Sequence, residues 1–518
     1  MHAATTKRPN LGRLTPLALA LSLAGFTHAA AAADNDALLK ELRRLADRVE
    51  KLEARNQELE KRLEERPAGA PAADLQQRVR ALEEASAKTE KALESERISE
   101  KEPELVTRLK AVEFQTLNIQ KQARQIEALE GITVGASLTG VVQKANREGA
   151  GTGVRESRAN YRGDVSVTLP GGEMGNMEGK IFTHFRFGQG NGVGLRPTYT
   201  STPNTTAFQV TGVSDPDSSF GILAQAWYQL DIPLPLDGHK PHSRERVELN
   251  FGKIDPFIFF DQNAAADDES VRFLNNAFVH NPLLDSGGDI GVDAYGFTPG
   301  IRMAYISEQA RPESWGVSLG VFGSGPGANF SGSLSEPFVI AQLETSRRFF
   351  GGLAGNYRLY AWRNGRTGDF DSAPGDIARH AGWGISADQR LGDGVTAFAR
   401  YGHRMTGRTS FDRALTLGAE FAGSYWGRAA DAIGIAGGLL RTSQAYRDAS
   451  AVDADGDGVP DLLGYAASGS ERIAEIYYRF RVNSRLDLSP DFQLIQRAGG
   501  DGSAPTVKVV GLRAKVGF

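Results

Sequence analysis

The sequence predicts an all-β transmembrane barrel of about sixteen antiparallel strands, preceded by a cleaved signal peptide and an α-helical coiled coil. Three observations carry this. The first is a leader-like N-terminus. The second is a leucine heptad seam confined to the first quarter of the chain. The third is a long series of segments in which apolar and polar residues alternate, the last of them closing on Phe518.

The leader comes first. Lys7, Arg8 and Arg13 form a positive n-region, Leu17–Phe26 is an apolar core, and the alanine run Ala29–Ala33 offers small-residue cleavage sites. Cleavage after Ala33 is expected, with Ala30 the alternative. The apolar run is too short for a membrane helix, which needs about 20 residues. The chain is therefore expected to be exported, with residues 1–33 as the signal peptide.

Residues 34–130 are expected to form a coiled-coil segment. Leu42, Leu45, Val49, Leu52, Asn56, Leu59 and Leu63 alternate spacings of three and four, which places Leu42, Val49, Asn56 and Leu63 at one seam position. A polar residue such as Asn56 on that seam costs stability but fixes register and strand number. Pro67 and Pro71 break the helix. Weaker runs follow through Leu75, Val79, Leu82 and Leu93, then through Leu105, Leu109, Val112, Ile119 and Ile126.

After Gly131 the charge runs stop and period-two alternation begins. Barrel strands carry about ten residues with alternating faces, and each is a weak signal alone. Here there are many. Ile181, Thr183, Phe185 and Phe187 alternate with Lys180, Phe182, His184 and Arg186. Ile222, Ala224, Ala226, Tyr228 and Leu230 alternate with Gln225, Trp227 and Gln229. Val247, Leu249 and Phe251 alternate with Glu248 and Asn250. Leu415, Leu417, Ala419 and Phe421 alternate with Thr416 and Glu420. Ala474, Ile476, Tyr478, Phe480 and Val482 alternate with Glu475, Tyr477, Arg479 and Arg481. Val510, Leu512, Ala514, Val516 and Phe518 alternate with Gly511, Arg513, Lys515 and Gly517. A lipid-facing apolar side and a polar lumen explain the pattern. Residues 131–518 are thus expected to be the barrel.

With both barrel ends in the periplasm, Pro235–Glu245 and Asn483–Asp487 become periplasmic turns. Gly188–Ser219, Asp261–Asp293, Gly365–Ile377 and Ser443–Ser470 become outer loops.

Composition excludes several functions. The net charge of −4 speaks against a nucleic-acid surface, and the absence of cysteine removes disulfides and thiolate chemistry. No nucleophile–base pair stands out, so the chain is not expected to be an enzyme or to need a cofactor. Asp453, Asp455, Asp457 and Asp461, with Gly458 in sixth place, match a calcium loop of the EF-hand type, although Gly464 stands where the bidentate Glu belongs. Calcium is expected to order that outer loop.

The barrel region resembles the carbohydrate-selective porin family of the OprB type. The residues that carry the likeness are Phe251 to Asp255, Phe260-Asp261-x-Asn263, Asp267 to Glu269 and Arg272 to Asn275. Further on they are Glu475-x-Tyr477-Tyr478-Arg479, Leu488 to Gln493, Gly511 to Arg513, and Phe518. The likeness implies an outer-membrane porin for small carbohydrates, with membrane lipid around it and the coiled coil in the periplasm. Counting strands makes Asp261–Asp293 the third outer loop, the position from which general porins fold a loop into the lumen. Sugars present many hydroxyls, so the expected contacts are fixed amides, carboxylates, guanidinium groups and aromatic faces. Asp261, Asn263, Asp267, Asp268, Glu269 and Arg272 supply these from the loop. Glu475, Tyr477, Arg479, Arg481, Asp491, Gln493 and Arg513 supply them from the late strands, where their arginines are the expected partners of the loop carboxylates. A homotrimer joined through the coiled coil follows by analogy with other porins. The coiled coil itself resembles that of phosphate-selective porins. This keeps two alternatives open: an anion channel, or a plugged barrel that tethers the membrane to the cell wall.

Overall fold

The computed structural model describes residues 131–146, 156–195, 198–199, 202–208, 219–236, 243–284, 296–325, 334–373 and 376–518. The expected signal peptide and coiled coil lie outside these residues.

Sixteen antiparallel strands close into one barrel, each paired with its neighbours in sequence and β1 paired with β16. The strands are β1 Thr133–Ala145, β2 Glu156–Met174, β3 Met177–Gln189, β4 Phe220–Leu234, β5 Glu245–Ile254, β6 Thr298–Ser307, β7 Ser314–Phe322 and β8 Phe338–Phe349. They continue as β9 Leu353–Thr367, β10 Ala378–Gly392, β11 Val395–Thr406, β12 Phe411–Ala422, β13 Ala432–Thr442, β14 Ser470–Arg481, β15 Leu486–Gln496 and β16 Val507–Gly517. The seam is in regular register, with Leu138 opposite Val516 and Val142 opposite Leu512. Closure leaves no unpaired edge, which a sheet in hydrocarbon cannot tolerate.

Alternation along the strands sorts the side chains as expected. Val142, Leu417, Val510 and Leu512 are each at least half exposed on the outer wall, while Asn250, Thr416, Glu475 and Arg513 are buried inside. The expected alternation fails at one place. In β4 a bulge inserts Ala224: His184 pairs with Gln225 and Phe185 with Leu223. The parity of the strand flips there, so Leu223 faces outward and Ala224 is buried, the reverse of the sequence expectation.

Short turns lie at one end, such as that between β14 and β15, and long connections at the other. The lumen is not an empty tube. A buried aromatic cluster fills one side, where the Phe273 ring meets Phe278, Phe398 and Tyr477 at centroid distances of 5.4, 5.6 and 5.0 Å. That cluster joins the wall to the β5–β6 loop. Two facing glycines, Gly384 and Gly402, let the loop come close: a Cβ on Gly402 would lie 2.5 Å from Asn281 Oδ1.

Candidate functional site

The β5–β6 loop folds into the barrel, and its backbone geometry begins with Asp255. The Asp255 carboxylate caps a 3-10 turn over Pro256–Ile258 by accepting from the Phe257 N–H at 3.0 Å. Proline at the first helical position suits that turn. Six residues on, Asp261 sits at φ +55°, a region that side chains other than glycine and asparagine or aspartate avoid. Its surroundings hold it there. The buried carboxylate accepts from Asn281 N–H at 2.6 Å, from the Tyr360 hydroxyl at 2.7 Å and from Arg400 Nε at 3.2 Å. Arg400 also donates to the carbonyls of Phe278 and Asp261, at 2.8 and 3.0 Å. One ion pair thus ties both limbs of the loop to β9 and β11.

From there the loop crosses the lumen. The Asn263 amide donates to Ser386 Oγ and to the Ala387 carbonyl on β10, at 3.3 and 3.2 Å. Glu269 reaches Arg162 on β2 at 2.5 Å. Arg513 donates to the carbonyls of Glu269 and Arg272, at 2.8 and 2.6 Å. Glu475 accepts the backbone N–H groups of Leu274 and Asn275 at 2.6 and 2.9 Å, and Gln493 accepts from the Asn275 amide at 3.0 Å. Asn275 in turn caps α1, Asn276–Val279, by accepting from the Ala277 N–H.

The residues expected at the pore therefore separate by burial and by partner. Asp261, Asn263, Glu475, Tyr477, Gln493 and Arg513 are buried against the loop, Asp491 is buried beside Gln493, and Asp268 and Glu269 turn to Ser270 and Arg162. Asp267, Arg272 and Arg479 keep side-chain exposures of 32, 24 and 17%. Asp267 lies 3.5 Å from Arg272, and Glu420 collects Arg272 at 3.8 Å and Arg479 at 3.6 Å. Arg481 is the last residue of β14 and pairs with Asp487 at 2.5 Å, at the short-turn end and away from the loop. The expected pairing of inward arginines with loop carboxylates holds for Arg400 and Asp261, whereas Arg513 bonds loop carbonyls, Arg479 meets Glu420, Arg481 meets Asp487, and Glu269 takes Arg162 from an early strand.

Two neighbouring loop carboxylates sit in different fields. Burial pushes the Asp267 carboxyl above its ordinary range, with Arg272 and Arg400 opposing. Burial would raise Asp268 too, but Lys515, the Ser270 hydroxyl and Arg272 hold it down at about 2. Lys515 donates to Ser270 Oγ at 2.6 Å, beside that carboxylate.

Sequence reasoning read only part of the opposite wall, placing His184 and Arg186 inward but not Arg162 or Asp164. On β2 and β3, Asp164 bridges Arg162, His184 and Arg186 at 2.9, 2.9 and 2.8 Å. Farther along, a cavity of about 290 Å³ opens between the loop and strands β3–β8. Lys180, Gln229, Glu248, Arg302 and Glu344 line it, with Phe259 and Gln262 from the loop. Arg302 bonds Glu248 at 3.0 Å and lies 4.3 Å above the Phe259 ring. The period-two rule that exposed Glu248 as inward would also have exposed Arg162, Asp164 and Arg302, had β2 and β6 been read as strands.

The β3–β4 connection, expected only as an outer loop, also enters the barrel. The Pro203 carbonyl accepts from both Gln143 on β1 and Gln493 on β15, each at 2.8 Å. Thr205 N–H donates to the Leu274 carbonyl at 2.9 Å, and Thr202 N–H to Asn276 Oδ1 at 2.9 Å. The second loop is thereby stacked on the third.

In the exposed β13–β14 loop, the carboxylates of Asp453, Asp455 and Asp461 converge, with oxygens within 4.8 Å of one another. Asp453 accepts from Gly456 and Gly458 N–H, at 2.8 and 2.9 Å. Asp457 stands outside the group and accepts from Val459 N–H at 2.7 Å. Carboxylate oxygens are the hard donors that a divalent cation such as calcium takes, and these three are half of the smallest set it needs.

Comparison with known proteins follows the same fold. The high-pH structure of OprB from Pseudomonas putida matches with a TM-score of 0.60 at 18% identity, over 77% of this chain and 97% of that one. The low-pH structure of the same protein gives 0.43 at 16% identity, over 77% and 96%. A mutant of the Rh. blastica porin gives 0.41 at 9% identity, over 75% and 100%. A search of curated proteins finds no match. The model of the carbohydrate-selective porin family, OprB, matches residues 104–518. By that match, over most of its length, the chain belongs to the OprB family of carbohydrate-selective porins of the outer membrane.

Proposed function

We propose that the barrel is a passive, substrate-preferring diffusion channel for small carbohydrates. Solutes enter at the long-loop end, pass between the third loop and strands β2–β8, and leave at the short-turn end. The observation that carries this is the lined cavity beside the loop. Its volume of about 290 Å³ lies at the small end of ligand-sized cavities, roughly 300–1,000 Å³. Lys180 and Arg302 face Glu248 and Glu344, so the lining offers donors and acceptors with no excess of either charge. Phe259 adds an apolar face. Such a surface suits a neutral polyhydroxyl solute better than an anion.

Liposome swelling tests the reading. A neutral hexose is expected to enter faster than its uronic acid or a disaccharide. Rates ordered by size alone would remove the preference, and strong anion selectivity in bilayer reversal potentials would favour an anion channel.

The N-terminal segment extends the proposal: a periplasmic coiled coil that joins three barrels and contacts the cell wall. Cross-linking of the full chain, compared with a chain lacking residues 34–130, tests the trimer. Calcium is proposed to order the β13–β14 loop through Asp453, Asp455 and Asp461, with Asp457 as a further ligand. Calorimetry at millimolar calcium is expected to give heat that Asp455→Ala abolishes; a wild type giving no heat would rule this out.

A further inference from the structure

The outer wall carries a feature that solute passage does not use. Near the long-loop end, Trp383, His403, Arg413 and Arg441 stand side by side on β10, β11, β12 and β13, each directly opposite the next in register. All four share the lipid-facing parity. Leu415 and Leu439, two residues farther into β12 and β13, are 40 and 39% exposed on that wall, while the intervening Ala414 and Leu440 are fully buried. Arg363 on β9 and Arg472 on β14 flank the row.

Two guanidinium groups in direct cross-strand register repel each other. Neither Arg413, Arg441 nor Arg472 has an ion pair or side-chain hydrogen bond among the described residues, so no carboxylate of the barrel offsets that repulsion. The strands across the barrel differ. On β6, β7 and β8, Ile301, Val321 and Val339 stand opposite one another in register and carry no charge. The cross-strand arginines are thus absent from that side, while Lys144 on β1 and Lys508 on β16 add single basic residues at the same end.

We propose that this patch binds the phosphate groups of a phosphorylated glycolipid in the outer leaflet. The chemistry fits in three respects. Paired guanidinium forks grip phosphate oxygens bidentately and would relieve their own repulsion in doing so. The Trp383 and His403 rings stack at 5.9 Å, which sets an amphipathic aromatic pair at headgroup level beside the arginines. The apolar band that begins at Leu415 and Leu439 lies directly below, where acyl chains of the same lipid would run. Placing the patch in the outer leaflet rests on the proposed orientation, with the long loops outside. Binding itself does not depend on that orientation or on what the channel conducts.

The test uses the full chain purified in mild detergent, with bound lipid counted by native mass spectrometry. The probe is lipid A carrying both phosphates. Wild type is expected to retain it, and R413Q/R441Q to retain at least tenfold less, with conductance in planar bilayers unchanged. Lipid A stripped of phosphate should not be retained, and phosphatidylglycerol at equal charge should not displace the intact lipid. A second readout covers any folding defect. Without lipid A, R413Q/R441Q should resist heat as well as wild type or better, and adding lipid A should raise the wild type alone. Equal retention by both proteins, equal retention of the stripped lipid, or a change of subunit number without loss of lipid would each overturn the proposal.

Discussion

The two halves of the lumen use the same polar residue types for different ends. On the side of β9–β16, arginines, carboxylates and amides bond the third loop and disappear from solvent. Arg400 and Asp261 are 1 and 0% exposed there. On the side of β2–β8, residues of the same kind bond mostly one another across neighbouring strands and leave a cavity open. Asp164, Arg162 and Arg186 form one such set, and Glu248, Arg246 and Arg302 another. Inward polarity therefore does not mark a solute contact. The decisive factor is whether a loop has taken up the donor or acceptor first.

Breaking the packed half should have the largest effect. Asp261→Ala leaves Arg400 buried without its carboxylate, at a cost of about 3–5 kcal/mol for such pairs. The loop should come away from the wall, and single-channel current should rise and become noisy. A quiet, unchanged current would show that this pair does not hold the loop. Glu475→Gln should act in the same direction but less strongly. It removes one of two oxygens that accept loop N–H groups, a loss on the order of 1–3 kcal/mol. Heat stability and current noise together would check it.

Changing the open half should sharpen the contrast. Arg302→Met keeps the stem over Phe259 but removes the charge beside Glu248, which Arg246 still holds at 2.9 Å. Sugar entry is expected to shift several-fold in liposome swelling, with a stability loss on the order of 1–3 kcal/mol as Asn250 and Ser318 lose a donor, below that of Asp261→Ala. A loss of stability as large as that of Asp261→Ala would erase the distinction between the halves.

The smallest effect is a pH response. Asp267 has a raised carboxyl, so on acidification it loses its charge before an ordinary carboxylate would. Asp268 is depressed to about 2, so its ionic contribution to loop anchoring is fully present above the ordinary carboxylate range and is lost only as pH falls through about 2. The ratio of cation to anion permeability should therefore fall in mild acid while loop noise stays constant. In Asp267→Asn the selectivity step should vanish. A noise increase at the same pH as the selectivity step would mean that the two carboxylates titrate together.

The wall was legible in the sequence because alternation is a local property. Val510 to Phe518 announce an outer face whatever surrounds them, and the third loop falls in its place once the strands are counted. The bulge at Ala224 was not legible, since Ile222 and Ala224 fit the apolar period as well as Leu223 does. Within the site, parity correctly pointed Glu475, Tyr477 and Arg513 inward. It could not tell that Leu274, Asn275 and Glu269 would cover them, because those contacts join residues some 200 positions apart. The second loop left no trace, its small polar run of Thr202 to Thr206 reading as an ordinary surface connection.

That second loop also bears on how the cylinder is completed. Gln143 stands on the first strand and Gln493 on the fifteenth, with the sixteenth between them, and both donate to one carbonyl oxygen at Pro203. The place where chain start and chain end must find each other has no covalent link of its own. Pro203 acts there as an internal rivet, gripping both banks of the closure from within. Both bonds can form only where β1, β16 and β15 lie side by side, so the rivet grips the closure itself and no other part of the wall.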